Sequence, residues 1–208
     1  MGHFSKANAP EEFWPVIDEF NDKGIMGETG KARERRIREG WFEAYAPYWR
    51  SGLDLGCGED PLNQTFRRWD QKFGDGDAQE LEGLVTKFHT IYASHILEHI
   101  VYPSRAIARW YDLVEPEGHL ILCVPHRDLY EKKRVLPSKW NHDHKHFFLP
   151  EDKELPCTMS FKEVILTAIP NADFKEFRVL DEGYKSNGET KHSNGEYSIE
   201  AVIQKHVA

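Results

Sequence analysis

Two short apolar runs, FHTIYAS (88–94) and HLILCVP (119–125), restrict the folds open to this chain more than any other feature. The second is apolar at nearly every position rather than at alternate ones, so both of its faces must be covered. Between them, from Pro103 to Val114, Ile107, Trp110, Tyr111 and Val114 recur on one helical face, and an EPEG turn leads into the second run. Upstream, SGLDLGCG (51–58) is a short strand that runs into a glycine turn. Downstream come a helix over Phe161–Ala168 and two strands, DFKEFRVL (173–180) and YSIEAVIQ (197–204), expected to pair as an antiparallel hairpin. Strands alternating with helices give an α/β chain: a mainly parallel central sheet, a C-terminal antiparallel hairpin and helices on both faces.

A length of 208 residues, 39% hydrophobic and 30% charged, fits one soluble domain. Residues 1–30, polar and broken by Pro10 and Pro15, are read as an N-terminal arm or lid, and 31–208 as the core. A helix is expected from Lys31 to Tyr45, with Ile37, Trp41, Phe42 and Tyr45 on one face. Its basic residues, Lys31, Arg33, Arg35, Arg36 and Arg38, are expected on a solvated face, the alternative being an arginine turned inward to hold a carboxylate or phosphate. No apolar stretch approaches the ~20 residues of a membrane span, and the first residues lack the apolar core of a secretory signal. Cys57, Cys123 and Cys157 are an odd set without paired spacing, which points to free thiols in a reducing, cytoplasmic setting. A net charge of −8 argues against a nucleic-acid partner.

In such sheets ligands bind outside the carboxyl ends of the strands, so the turn holding Gly56 and Gly58 is the natural cofactor site. A dinucleotide fingerprint would need a third glycine where Pro61 stands. LDLGCGED instead resembles the first motif of class I S-adenosylmethionine-dependent methyltransferases. FGDGDAQEL (73–81), FHTIYASHILEHI (88–100) and LVEPEGHLILCVP (113–125) continue the resemblance in order, from Gly52 to Arg127. It implies a Rossmann-like fold and S-adenosyl-L-methionine as cofactor. By the same resemblance Gly56 and Gly58 would lie against the cofactor's methionine and ribose. Asp54 would orient that loop or accept from the cofactor amino group, and Asp70 would bind the ribose hydroxyls. Asp77 and the Ala78 backbone would meet the adenine, and Ser94 and His95 would wall the site. The chain departs from the pattern at Asp60, where a third glycine is usual, and in its short span from Gly58 to Ile91, so the second strand and its helices must be pared down.

The acceptor must be inferred from the residues at the strand ends. SHIL (94–97) stands where enzymes that methylate nucleic-acid amino groups carry an Asp or Asn, two prolines and an aromatic, so that chemistry is disfavoured. Eleven histidines are present, and an imidazole suits the task of removing a hydroxyl proton. His126, His144 and His99 are the candidate catalytic residues; for His95 and His99 the alternative is a role in fixing the cofactor loop. His142, His144 and His146 alternate in SKWNHDHKHFF (138–148) and would share one face if extended. They are read as a loop framework, a substrate or base contact, or, with Asp143, a metal site; no metal is required by the spacing. Cys57 and Cys123 are expected to pack as small apolar residues. VPHRDLYEKK and the histidine segment together resemble sugar and glycan O-methyltransferases, which implies a sugar, glycan or nucleotide-sugar acceptor, with Trp140 either stacking on a sugar ring or packing in its loop. A small-metabolite O- or N-methyltransferase and a non-catalytic cofactor-binding module are the alternatives.

Overall fold

The computed structural model describes residues 10–15, 27–186 and 193–207; most of the arm, residues 1–9 and 16–26, lies outside them. Six strands form one sheet in the order β2-β1-β3-β4-β8-β7. These are β1 (Gly52–Leu55), β2 (Arg67–Trp69), β3 (Phe88–Ser94), β4 (Val114–Pro125), β7 (Asp173–Leu180) and β8 (Ser198–Gln204). Strands β2, β1, β3 and β4 are parallel, and β8 runs antiparallel between β4 and β7. The C-terminal hairpin is therefore present as the sequence implies. A separate parallel pair, β5 (Phe147–Leu149) and β6 (Thr158–Ser160), follows the histidine loop.

Both sheet faces are covered, as the unbroken apolar strands require. Helices α4 (Pro103–Asp112) and α5 (Phe161–Ala168) cover one face with Ile107, Trp110, Phe161 and Ile165. Pro103 opens α4, where its missing N–H costs nothing. The buried indole of Trp110 donates to the Ala78 carbonyl at 2.7 Å. On the opposite face Trp41 and Phe42 join Leu62 and Phe66 against Tyr92, Ile121 and Val202. Leu62 and Phe66 come from the loop 56–66, which links β1 to β2 without a helix. The second strand is short, as the abbreviated span demands.

Three local expectations are corrected. The helix over Lys31–Tyr45 is broken into α1 (Gly27–Lys31), α2 (Arg33–Arg38) and α3 (Trp41–Tyr45), with Gly40 in the left-handed region at φ 68°. The EPEG segment does not leave the sheet: β4 already starts at Val114, opposite Phe88, and a bulge plus a left-handed Glu117 absorb the bend. Finally, 141–144 form a turn rather than an extended segment, because the Asn141 side chain accepts from the Asp143 N–H at 3.2 Å. His142 is exposed, His144 buried and His146 half-buried, so they share no face.

The basic face is likewise largely turned inward, with Arg38 alone of its arginines exposed. Arg33, Arg35 and Arg36 are buried, and the inward alternative holds. Arg35 grips Glu196 through Nε at 2.9 Å and Nη2 at 3.0 Å. Arg36 meets Glu200 of β8 at 2.5 Å, donates to the Tyr92 hydroxyl at 3.1 Å and stacks on Trp41. Burial disfavours the Arg36 charge, but Tyr92 and Glu200 outweigh it and hold the guanidinium above its ordinary pKa. Removing one partner of a buried pair leaves the other charge uncompensated. Arg36→Met should therefore cost about 3 kcal/mol in urea unfolding, the low end of the usual range, because Arg178 remains 3.6 Å from Glu200. The double variant Arg36→Met/Glu200→Leu should recover most of that loss. A single-variant loss below about 1 kcal/mol would mean that the pair does not anchor α2.

Candidate active site

The direction of the sheet order reverses at β1, with β2 on one side and β3 on the other. The crevice at the carboxyl ends of these strands is the place such a sheet offers a ligand. Gly56 and Gly58 sit there with φ 67° and 53°. A Cβ at Gly56 would lie 2.5 Å from Ile96 Cδ1, so a side chain there would have to displace Ile96 and sit on a strained left-handed backbone; one at Gly58 would meet no atom of the described residues within 4 Å. The Gly56 N–H donates to the Trp69 carbonyl at 2.9 Å, and the Gly58 N–H donates to Asp70 Oδ2 at 2.9 Å. Asp70 directly follows β2, and its Oδ1 accepts from the Lys72 N–H at 2.8 Å. One carboxylate thus grips the glycine turn and still keeps a lone pair on each oxygen.

Two hollows share Gly56 in their linings. The larger, about 380 Å³, is lined by Asp70, Asp77, Ala78, Ile96, His99 and Asp143, among others. The smaller, about 190 Å³, is lined by Glu28, Thr29, Asp54, Cys57, Ser94 and His95, with Asp60. Asp54 is buried and accepts from the Leu62 N–H at 2.7 Å, which fixes the loop 56–66. Burial pushes its carboxyl up to about 7, opposed by the Leu62 hydrogen bond. Asp77 Oδ1 accepts from the Gln79 N–H at 2.7 Å. His95, with φ 53°, bonds Ser198 Oγ through Nε2 at 2.8 Å, and burial brings its pKa down to about 4.

The candidate catalytic histidines separate. His99 lines the larger hollow, and its Nδ1 lies 3.0 Å from Asp143 Oδ2. His144 is buried behind it, ring edge to ring face at 4.7 Å between centroids, with Nδ1 2.5 Å from Glu131 Oε1. The Lys145 N–H donates to the Glu98 carbonyl at 2.8 Å and so pins the histidine loop onto the turn Leu97–His99. His126 lines neither hollow; its Nδ1 accepts from the Asp128 N–H at 3.1 Å at the start of a π-helical turn, Arg127–Glu131. Trp140 also lines neither, and donates to the Tyr130 carbonyl at 2.8 Å, the packing alternative. Sequence reasoning missed Glu98, Glu131 and Glu28. Glu98 did leave a signal, a lone acid within the apolar ILEHI.

The surroundings of Cys57 disfavour a thiolate. Burial and the neighbouring Asp54 push its thiol up to about 12. Iodoacetamide at pH 8 should therefore alkylate Cys57 roughly 10³-fold more slowly than a free cysteine, as read by peptide mass spectrometry; a rate near the free one would contradict this environment.

A family model described as a methyltransferase domain matches residues 26–156, more than half of the chain. No curated protein matches the sequence significantly. Solved structures that share the fold include the following three. An S-adenosylmethionine-dependent methyltransferase from Clostridium acetobutylicum gives a TM-score of 0.51 at 11% identity over 94% of this chain and 97% of that one. One from Listeria monocytogenes, titled a putative S-adenosylmethionine-dependent methyltransferase, gives 0.50 at 12% over 81% and 97%. TehB from Haemophilus influenzae gives 0.52 at 10% over 86% of this chain and 66% of its own length. With the family model matched across the glycine turn, both hollows and the histidine loop, the chain belongs to the methyltransferase domain family and is a class I S-adenosyl-L-methionine-dependent methyltransferase.

Proposed function

We propose that this methyltransferase acts on a hydroxyl oxygen, with a sugar or glycan as the acceptor class and His99 as the residue that activates the hydroxyl. The observation that carries the reading is the His99–Asp143 pair on the wall of the larger hollow. With Nδ1–H donating to Asp143, neutral His99 keeps the lone pair of Nε2 for a proton. Burial, followed by the nearby His144, lowers the His99 pKa, which favours the neutral ring at pH 7. The resemblance of VPHRDLYEKK and SKWNHDHKHFF to sugar-modifying enzymes supports the acceptor class, while Trp140 adds nothing to it because it packs in its own loop.

The residues present fit the cofactor. The two hollows meeting at Gly56, with the open space beside Gly58, offer an adenosine-sized and a methionine-sized lobe. Asp70 would hold the ribose hydroxyls with its spare lone pairs, and Asp77 and the Ala78 backbone would meet the adenine. The Gly56–Gly58 turn, Ser94 and His95 would flank the methionine end, and Asp54 acts from beneath by fixing the loop. Bound there, S-adenosylmethionine supplies an electrophilic methyl group on a sulfonium. What remains for the chain is to align the acceptor and remove its proton. Glu28 and Thr29 of α1 border the smaller hollow, which supports the reading of residues 1–30 as a lid on a single domain. The three free thiols support a reducing, cytoplasmic setting.

Transfer of labelled methyl to a panel of glycans, nucleotide sugars and small hydroxylated metabolites tests the proposal; a product methylated only on nitrogen would overturn it. With the acceptor so found, His99→Gln should lower kcat about 10²–10⁴-fold while S-adenosylhomocysteine affinity falls far less than kcat does. Asp70→Ala should do the reverse, weakening S-adenosylhomocysteine by about 1.5–3 kcal/mol in calorimetry. An unchanged affinity would move the ribose contact to another acid.

A further inference from the structure

Glu98 is an ionisable group without an adequate partner. Its side chain is 1% exposed, and its Oε2 has no hydrogen-bond partner among the described residues. The charged groups paired with it among the described residues are all histidines: His95 Nδ1 and His144 Nε2 at 3.8 Å and His99 Nε2 at 4.0 Å from Oε1. A buried carboxylate in such a place is costly unless a cation meets it. The ligand atoms of Glu98, His99 and His144 all lie within 4.8 Å of one another. A tetrahedral ion with bonds of about 2.0–2.2 Å needs donors about 3.3 Å apart, so small side-chain rotations close the set.

The outer contacts point the same way. The second nitrogen of each imidazole is already held by a carboxylate, His144 Nδ1 by Glu131 at 2.5 Å and His99 Nδ1 by Asp143 at 3.0 Å. That is the carboxylate–histidine–metal arrangement, which fixes the tautomer and aims Nε2 at an ion. Ser138 Oγ in turn donates to Glu131 at 2.5 Å.

We propose that Glu98, His99 and His144 form a binding site for a divalent transition-metal ion on the wall of the cofactor cleft. Two imidazoles and one carboxylate suit zinc or a first-row neighbour rather than magnesium or calcium, and three protein donors leave a position open. The ion's task rests on the hydroxyl-methylation reading. A hydroxyl reaching the open position would release its proton to solvent more readily, with His99 then acting as a ligand rather than as the proton acceptor.

Tag-free protein stripped with a chelator and dialysed should take up one equivalent of zinc in a calorimetric titration with zinc chloride. Cobalt should give the visible absorption of a tetrahedral or five-coordinate site, and magnesium should not compete. Glu98→Gln and His99→Gln should each weaken zinc by more than the 10–100-fold expected for the exposed outer residue in Asp143→Asn. His206→Gln, remote from the cluster, should bind as the parent does. Substoichiometric zinc, or an affinity unchanged in Glu98→Gln, overturns the proposal. If melting shows that Glu98→Gln is unfolded, an unchanged affinity in Asp143→Asn overturns it instead. Labelled-methyl transfer by the same samples separates the two readings: a hydroxyl methylated without zinc uptake removes the metal site alone, whereas zinc uptake with a product methylated only on nitrogen removes the hydroxyl-methylation reading and keeps the site.

Discussion

The missing side chain at Gly56 is the constraint on which the site depends. Its backbone passes so close to Ile96 that a Cβ would lie 2.5 Å from the isoleucine methyl. This contact draws the end of β1 against the segment that follows β3, across the point where the sheet order reverses. The Trp69 carbonyl receives the Gly56 N–H, so β2 is tied to the same atom cluster. Three strand ends therefore converge on one residue, and the two hollows open on either side of it. Asp70 completes the arrangement by holding the next glycine.

A second tension is electrostatic. Acids are buried at Asp54, Glu98, Glu131, Glu196 and Glu200, and they are met in different ways. Glu196 and Glu200 receive arginines from α2, Asp54 receives a backbone N–H, and Glu131 receives a serine and a histidine. Burial pushes Glu98 up to about 7, with His144 acting against the rise. Structural pairs stabilise the sheet face opposite α4; the histidine-bounded acid lies instead beside the cleft. That division separates the charges that hold the fold from those available for chemistry.

Much of this was legible in the sequence, for identifiable reasons. The boundaries of β3 and α5 and the C-terminal hairpin follow directly from apolar patterning, because burial selects those residues locally. The glycine turn was equally plain, since a positive φ leaves its mark on residue type. What escaped depends on partners distant in the chain. Nothing near Arg35 or Arg36 announces Glu196 and Glu200, more than 150 residues away, so a helix that pairs inward reads as solvated. The histidine alternation was misleading because Asn141 forms a turn that buries His144 and exposes His142. His126 lies at the end of a central strand, yet its ring is turned to cap the next turn rather than to the cleft.

The central claim is that the two hollows around Gly56 are one cofactor site with its activating residue on the wall. A crystal structure of the protein with S-adenosylhomocysteine tests it most directly. The account predicts the adenosine in the larger hollow with its ribose hydroxyls on Asp70, the homocysteine in the smaller one beside Ser94, and His99 facing the space next to the sulfur. Density for the ligand elsewhere, or a bound ligand whose sulfur is closed off from His99, would contradict it.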